Sequence, residues 1–216
     1  MNINHNEMKK QNRFLYQEIF ETTTYKTDKK EIENATIIDI GANIGFFAFK
    51  CLELGAKEVI CFEPEKYNYE QLETNVKNFE IENIKTYNLA LLDDKTEFVH
   101  IDNNKACSTI YNNGKQKVES ISLEKAMSLN ELSGDLILKI DCEGSEFEIL
   151  FSSKKELLQK FKTIYIEIHE DMNPNEEYTN IKMIEYLQDL GFKKTYKANQ
   201  LGIREKGVFV PLKVES

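Results

Sequence analysis

The stretch "IIDIGANIGFFAFKCLELGAKEVICFEPE", Ile37 to Glu65, constrains the fold more than any other part of the chain. Ile37, Ile38 and Ile40 make a short apolar run that reads as a buried strand. Past Gly41, the residues Ile44, Phe47, Ala48, Cys51 and Leu52 recur on one helical face until Gly55 stops the pattern. "EVICFEP" is then a second strand ending at Pro64. In an open α/β sheet, ligands sit beyond the carboxyl ends of the strands, where the strand order reverses. The turn from Gly41 to Gly45 falls at such an end.

The alternation continues. After Pro64 a helical pattern turns Tyr69, Leu72, Val76 and Phe79 inward, and "IKTYNLAL" reads as a third strand. From Asp93 to Leu132 the regularity lapses: "TEFVHI" and "KVESISL" look like short strands around an asparagine-rich loop from Asp102 to Lys115, which predicts a small β insertion over 93–132. "GDLILKID" is a strand buried on both faces, followed by a helix through Phe147 to Leu150 and the strand "TIYIEIH". "NIKMIEYLQDLGF" is a helix, and "KKTYKA" with "GVFVPLKV" reads as a terminal antiparallel pair. The expected fold class is α/β and Rossmann-like, a mostly parallel sheet covered on both sides, with one C-terminal antiparallel strand. A chain of 216 residues without a low-complexity linker reads as one domain, 1–216, in which 1–35 form an N-terminal helical extension.

A net charge of −9 argues against a nucleic-acid partner, whose binding needs clustered positive charge. No run approaches about 18 apolar residues, and the first residues carry no signal-peptide pattern, so no membrane partner and a cytoplasmic location are expected. Cys51, Cys61, Cys107 and Cys142 lack metal-binding or redox spacing. A homo-oligomer stays open.

The turn identifies its ligand by what it lacks. A dinucleotide fingerprint needs G-x-G-x-x-G, with the second glycine letting bare backbone approach a pyrophosphate. Here Asn43 stands at that position, and Gly41-Ala42-Asn43-Ile44-Gly45 gives G-x-x-x-G. Glu63 lies about twenty residues on, where an acid takes ribose hydroxyls. S-adenosylmethionine has a ribose but no phosphate, and its carboxylate suits amides at a helix start. The plainer alternative is a tight turn that needs glycine and a solvated glutamate at a strand end.

"IIDIGANIGFFAF", "VICFEPEKYNYEQLETNV" and "LILKIDCEGSEFEIL" together resemble the FkbM-type family of S-adenosylmethionine-dependent methyltransferases, in order from about Phe20 to His169. The resemblance implies the class I methyltransferase fold, S-adenosylmethionine as cofactor, and O-methylation of hydroxyls on sugars and polyketide-derived products. It places Asp39, Gly41, Ala42, Asn43 and Gly45 in the cofactor loop, Glu63 with Pro64 at the ribose, and Asn88 and Ala90 near the adenine.

In "KIDCEGSE", Asp141 ends the buried fourth strand, and alternation points Asp141 and Glu143 to one side if the backbone stays extended. One carboxylate could accept a proton while the other grips a substrate hydroxyl, and Asp141 also borders the cofactor. The alternative is that the acids from Asp141 to Glu146 introduce the next helix. In "IYIEIHE", Tyr165, Glu167 and His169 alternate onto one side, so His169 with an ordinary pKa is a candidate base in its neutral form. Asp141, His169 and Glu143 are therefore the expected catalytic residues. Although Asp141, Glu143 and His169 are also donors that suit a divalent cation, no metal is assigned from the sequence. Ser108 and Thr109 offer hydroxyls to an acceptor. The expected activity is methylation of a hydroxyl on a small-molecule acceptor, a sugar or nucleotide sugar, with N- or carboxyl methylation or a non-catalytic binding module as rivals.

Overall fold

The structure is a computed structural model that describes residues 3–22, 25, 27–102, 110, 114–197 and 205–211. Its strands are β1 (Thr36–Ile40), β2 (Glu58–Phe62), β3 (Ile84–Tyr87), β4 (Ala90–Leu92), β5 (Phe98–Ile101), β6 (Gln116–Ser122), β7 (Leu136–Ile140), β8 (Phe161–Ile168), β9 (Phe192–Lys197) and β10 (Glu205–Pro211). Seven form the central sheet in the order β3-β2-β1-β7-β8-β10-β9. The strands β3, β2, β1, β7 and β8 pair in parallel, and β10 enters antiparallel to both β8 and β9. β1 lies between β2 and β7, so the strand order reverses there and opens a crevice at its carboxyl end.

Both faces of the sheet are covered, and side chains alternate between them. Ile37, Ile137 and Tyr165 join one apolar cluster with the helix Phe46–Glu53 and with Met8 and Ile19 of the N-terminal segment. Ile38, Ile40, Leu138 and Ile140 join the other, under the helices Glu146–Ser152 and Asn180–Asp189. The helix Phe46–Glu53 buries Phe46, Phe47, Ala48, Phe49, Cys51 and Leu52, more than the single apolar face its spacing predicts. The added cover comes from two sides: Phe79 meets the ring of Phe49, and the N-terminal segment, His5–Gln11, Arg13–Tyr16 and a π-helical turn Gln17–Glu21, brings Tyr16 and Phe20 to the ring of Phe46.

"IKTYNLAL" is two strands instead of one. Glu63 N donates to Tyr87 O at 3.0 Å, but the Asn88 side chain then turns to the Glu63 and Pro64 carbonyls at 2.8 and 3.0 Å. The chain leaves the central sheet there, and β4 pairs with β6 in a small sheet of order β4-β6-β5. That sheet is built largely from the expected insertion, and Gln116 Nε2 anchors it by donating to Pro64 O at 2.8 Å.

One polar pair sits deep in the sheet. Asp39 and Lys139 are register partners on β1 and β7, and both are buried. Lys139 Nζ lies 3.1 Å from Asp39 Oδ1 and donates to Gly41 O at 2.7 Å. Burial works against the Lys139 charge, but the Asp39 and Asp141 carboxylates outweigh it and hold the ammonium above its ordinary pKa. Breaking a buried pair strands the remaining charge. Lys139→Met should therefore cost about 3–5 kcal/mol in urea denaturation at neutral pH. The deficit should shrink as acid protonates the orphaned Asp39, and Asp39→Asn added to Lys139→Met should restore most of it. A single variant as stable as the wild type would show that the pair does not hold the sheet.

Candidate active site

The site lies one residue pair beyond that ion pair. Across the sheet, Cys61, Asp39, Lys139 and Tyr165 stand in one row by register. Two residues further along each chain come Glu63, Gly41, Asp141 and Glu167, and all four line one cavity of about 1240 Å³ including its open mouth. Strand alternation brings the four to the same side as the row before them.

Two loops with left-handed residues shape the cavity floor. Gly41 has φ +74°, and a Cβ there would lie 1.8 Å from Asp141 O, so only glycine lets the ends of β1 and β7 approach. Gly45 has φ +93°, and a Cβ would meet Leu72 Cδ1 at 2.5 Å. Asn43 also adopts a positive φ of 51°, steadied by its own Oδ1 accepting from Ile44 N at 2.9 Å. On the opposing loop Glu143 has φ 53°. The backbone from Asp141 to Glu143 thus turns instead of staying extended, and the expected alternation of these two residues does not hold. They converge because the turn swings Glu143 round toward His169.

Glu63 is buried and faces the first loop. Its Oε2 accepts from Asn43 N at 2.7 Å, and its Oε1 accepts from Glu65 N at 2.8 Å. Burial, opposed by these two bonds, lifts its carboxyl to about pKa 7. Ala42, Pro64 and Ala90 line the cavity with Gly41, Asn43 and Glu63, and Leu89 and Leu91 add an apolar wall beside Ala90. Asp39, Gly45 and Asn88 stand behind it: Asp39 holds Lys139, Gly45 permits the turn, and Asn88 ties down Glu63 and Pro64.

On the far wall His169, 1% exposed, is ringed by carboxylates. Its Nδ1 lies 2.9 Å from Glu146 Oε1. Its Nε2 lies 3.5 Å from Glu167 Oε1, 3.6 Å from Glu143 Oε2 and 3.8 Å from Asp141 Oδ1. Burial lowers the imidazole pKa, but Glu146, Glu167 and Asp141 overcome it and raise the group to about 11. The expectation of a neutral histidine base titrating near neutrality is therefore corrected: among these carboxylates the ring holds its proton. Glu146 is wholly buried in the first turn of the helix Glu146–Ser152, and its carboxylate also accepts from Cys142 N at 2.9 Å and Gly144 N at 3.0 Å, which ties down the loop before that helix.

Some of the site was not foreseen. Lys139, a charge within the apolar run "LILKI", was a visible signal and lines the cavity. Tyr25 was not visible: its hydroxyl donates to Asp141 Oδ2 at 2.7 Å from a segment with no pattern of its own. Tyr165 lies on the side of Glu167 as alternation requires, but it does not line the cavity, and its hydroxyl donates to Glu31 Oε2 at 2.9 Å. Ser108 and Thr109 lie outside the described residues.

The model of the "Methyltransferase FkbM domain" family matches residues 39–194, more than half of the chain. The chain belongs to this family. It is an S-adenosylmethionine-dependent methyltransferase. Solved methyltransferases share the fold. The FkbM methyltransferase of Methylobacillus flagellatus aligns with a TM-score of 0.57 at 12% identity, over 83% of this chain and 44% of that one. TrmK of M. capricolum, solved with S-adenosylhomocysteine, gives 0.52 at 12% identity, over 86% and 66%. Sp1610 of Streptococcus pneumoniae, solved with S-adenosylmethionine, gives 0.50 at 15% identity, over 85% and 69%. The chain thus spans less than half of the Methylobacillus protein. No curated protein is similar enough to count as a match.

The raised Glu63 carboxyl gives a test with a definite sign. Its folded pKa exceeds the unfolded value of 4.5, so the folded state binds the extra proton, and stability falls as pH rises from about 4.5 to 7. Ribose hydroxyls donating to Glu63 would favour the ionised form. Binding of S-adenosylhomocysteine near pH 7 should then release a fraction of a proton, and affinity should rise between pH 6 and about 8. Calorimetry in buffers of different ionisation enthalpy measures the release. Glu63→Gln should abolish it and weaken binding by about 1.5–3 kcal/mol; equal release from the variant would exclude Glu63 as its source.

Proposed function

We propose that this chain transfers the methyl group of S-adenosylmethionine to a hydroxyl of a small polar acceptor, a sugar either free or nucleotide-linked, in the cytoplasm. The observation that carries the reading is the wall of Asp141, Glu143, Glu167 and His169 facing the same cavity as the Gly41–Gly45 turn. Gly41, Ala42 and Asn43 hold the amino-acid end of the cofactor, Glu63 its ribose, and the wall of Leu89, Ala90 and Leu91 its adenine.

The methyl group on a sulfonium is already activated, so the protein's main task is to hold the hydroxyl in line with carbon and sulfur. As the new C–O bond forms, the hydroxyl proton passes to a carboxylate of the Asp141–Glu143 pair. Lys139, 3.9 Å from Asp141 Oδ2, and Tyr25, which donates to it at 2.7 Å, keep the Asp141 carboxylate oriented. A wall of carboxylates attracts hydroxyl donors and repels phosphate, which favours a sugar over a nucleic acid, as does the net charge of −9. Any phosphate of a nucleotide-linked sugar must lie away from that wall. The cytoplasmic assignment is supported by free thiols at Cys51, Cys61 and Cys142; no helix among the described residues is long and apolar enough to cross a membrane.

The test is a mass-spectrometric screen of sugars, nucleotide sugars and total tRNA for the gain of one methyl group. A sugar acceptor is the expected outcome; methylation of the RNA alone would overturn the reading. With the acceptor in hand, Asp141→Asn and Glu143→Gln should each lower kcat, the stronger by about 100- to 10,000-fold, while affinity for S-adenosylhomocysteine changes much less. Wild-type turnover in both variants would remove these residues from the chemistry.

A further inference from the structure

The two nitrogens of His169 are treated differently. Nδ1 makes a hydrogen bond of 2.9 Å to Glu146 Oε1, whose carboxylate is itself fixed by the Cys142 and Gly144 amides. Nε2 is buried, has no hydrogen-bond partner among the described residues, and points among three carboxylates at 3.5, 3.6 and 3.8 Å. Those separations exceed an N–H···O bond, about 2.7–3.2 Å. They come near the edges of a coordination polyhedron: donors about 2.1 Å from a common ion stand roughly 3.0–3.4 Å apart at octahedral to tetrahedral angles. One donor atom each from Asp141, Glu167 and His169 lies within 4.8 Å of the others.

We infer that His169 Nε2, Asp141 and Glu167 bind a divalent cation, with Glu143 beside it and Glu146 positioning the imidazole. With a carboxylate holding the proton on Nδ1, a metal ion displaces the proton on Nε2 and takes that lone pair, the usual outer-shell arrangement of a ligating histidine. Charge points the same way. Glu143, Glu146, Glu167 and Asp141 all face one ring, while Lys139 is shared with Asp39, so the wall carries a surplus of negative charge that a dication neutralises. One imidazole with two carboxylates is a mixed donor set open to first-row dications, of which Mn²⁺ is the probe that reports its own ligands by magnetic resonance. The ion would sit on the acceptor side of the cavity, where it can take a hydroxyl as a ligand and ease loss of its proton. Only that last role rests on the proposed methylation; binding of the ion does not.

The test uses the full chain and Mn²⁺ alone, without acceptor. Calorimetry and electron paramagnetic resonance should find one Mn²⁺ per chain. Pulsed measurements should show ¹⁴N coupling from a bound imidazole in the wild type, a readout that needs no variant to fold. Asp141→Asn, Glu167→Gln and His169→Gln should each weaken Mn²⁺ at least tenfold, and Glu146→Gln by about 10- to 100-fold, while Glu167→Gln still binds S-adenosylhomocysteine. No Mn²⁺ uptake, uptake without nitrogen coupling, or undiminished uptake by the folded variants would each overturn the site. A site that binds Mn²⁺ in a protein that methylates no sugar would leave this inference standing and remove the acceptor reading.

Discussion

The ion pair between Asp39 and Lys139 is the constraint on which the site depends. A charged pair in a sheet buried on both faces gains less from attraction than it loses in hydration, unless its geometry is good. Its value here is in position. The Lys139 ammonium reaches Asp39, the Gly41 carbonyl and the edge of Asp141, so one buried charge ties the ends of β1 and β7 together where the strand order reverses. An apolar pair of the same volume would fill the core and leave both loops unmoored.

From that anchor the two loops acquire opposite characters. The loop after β1 is a cradle of small residues and backbone, closed by Glu63 on the Asn43 amide. The loop after β7 is a knot of carboxylates gathered round one imidazole, with Glu146 holding loop and ring at once. Asn43 and Glu143 both sit in the left-handed region without being glycine, which costs of order 1–3 kcal/mol each and persists only where the surroundings enforce it. Such conformations gather at ligand sites, and these two both line the cavity.

Much of the architecture was legible in the chain because it rests on period and spacing. The parallel strands, the helix after Gly45, the small β insertion and the inserted antiparallel strand follow from apolar runs of a few residues between turn signals. The β3 to β4 break was not legible, since it depends on Asn88 finding two carbonyls of another strand end. At the site, Gly41 and Glu63 could be read from their places at strand ends. What could not be read was anything set by several segments meeting. The proton on His169 depends on Glu146, Glu167 and Asp141 arriving from two separate stretches, and alternation alone suggested an ordinary imidazole. The proposed cation site is illegible for the same reason: its candidate donors share no spacing, and the bond that orients His169 is invisible in one dimension.

Leu15, Glu18 and Ile19 form part of the cavity wall, and Tyr25 reaches Asp141, yet all precede the residues 39–194 that match the family. The chain therefore writes its site in two hands. The family-matched part fixes the sheet, the cradle and the carboxylates, while part of the cavity wall is supplied by a short helical strap bound through Tyr16 and Phe20 to the ring of Phe46. A strap of that kind can change its inward side chains without disturbing a single strand. What the cavity admits can thus be retuned by rewriting a few turns of helix while the sheet stays as it is.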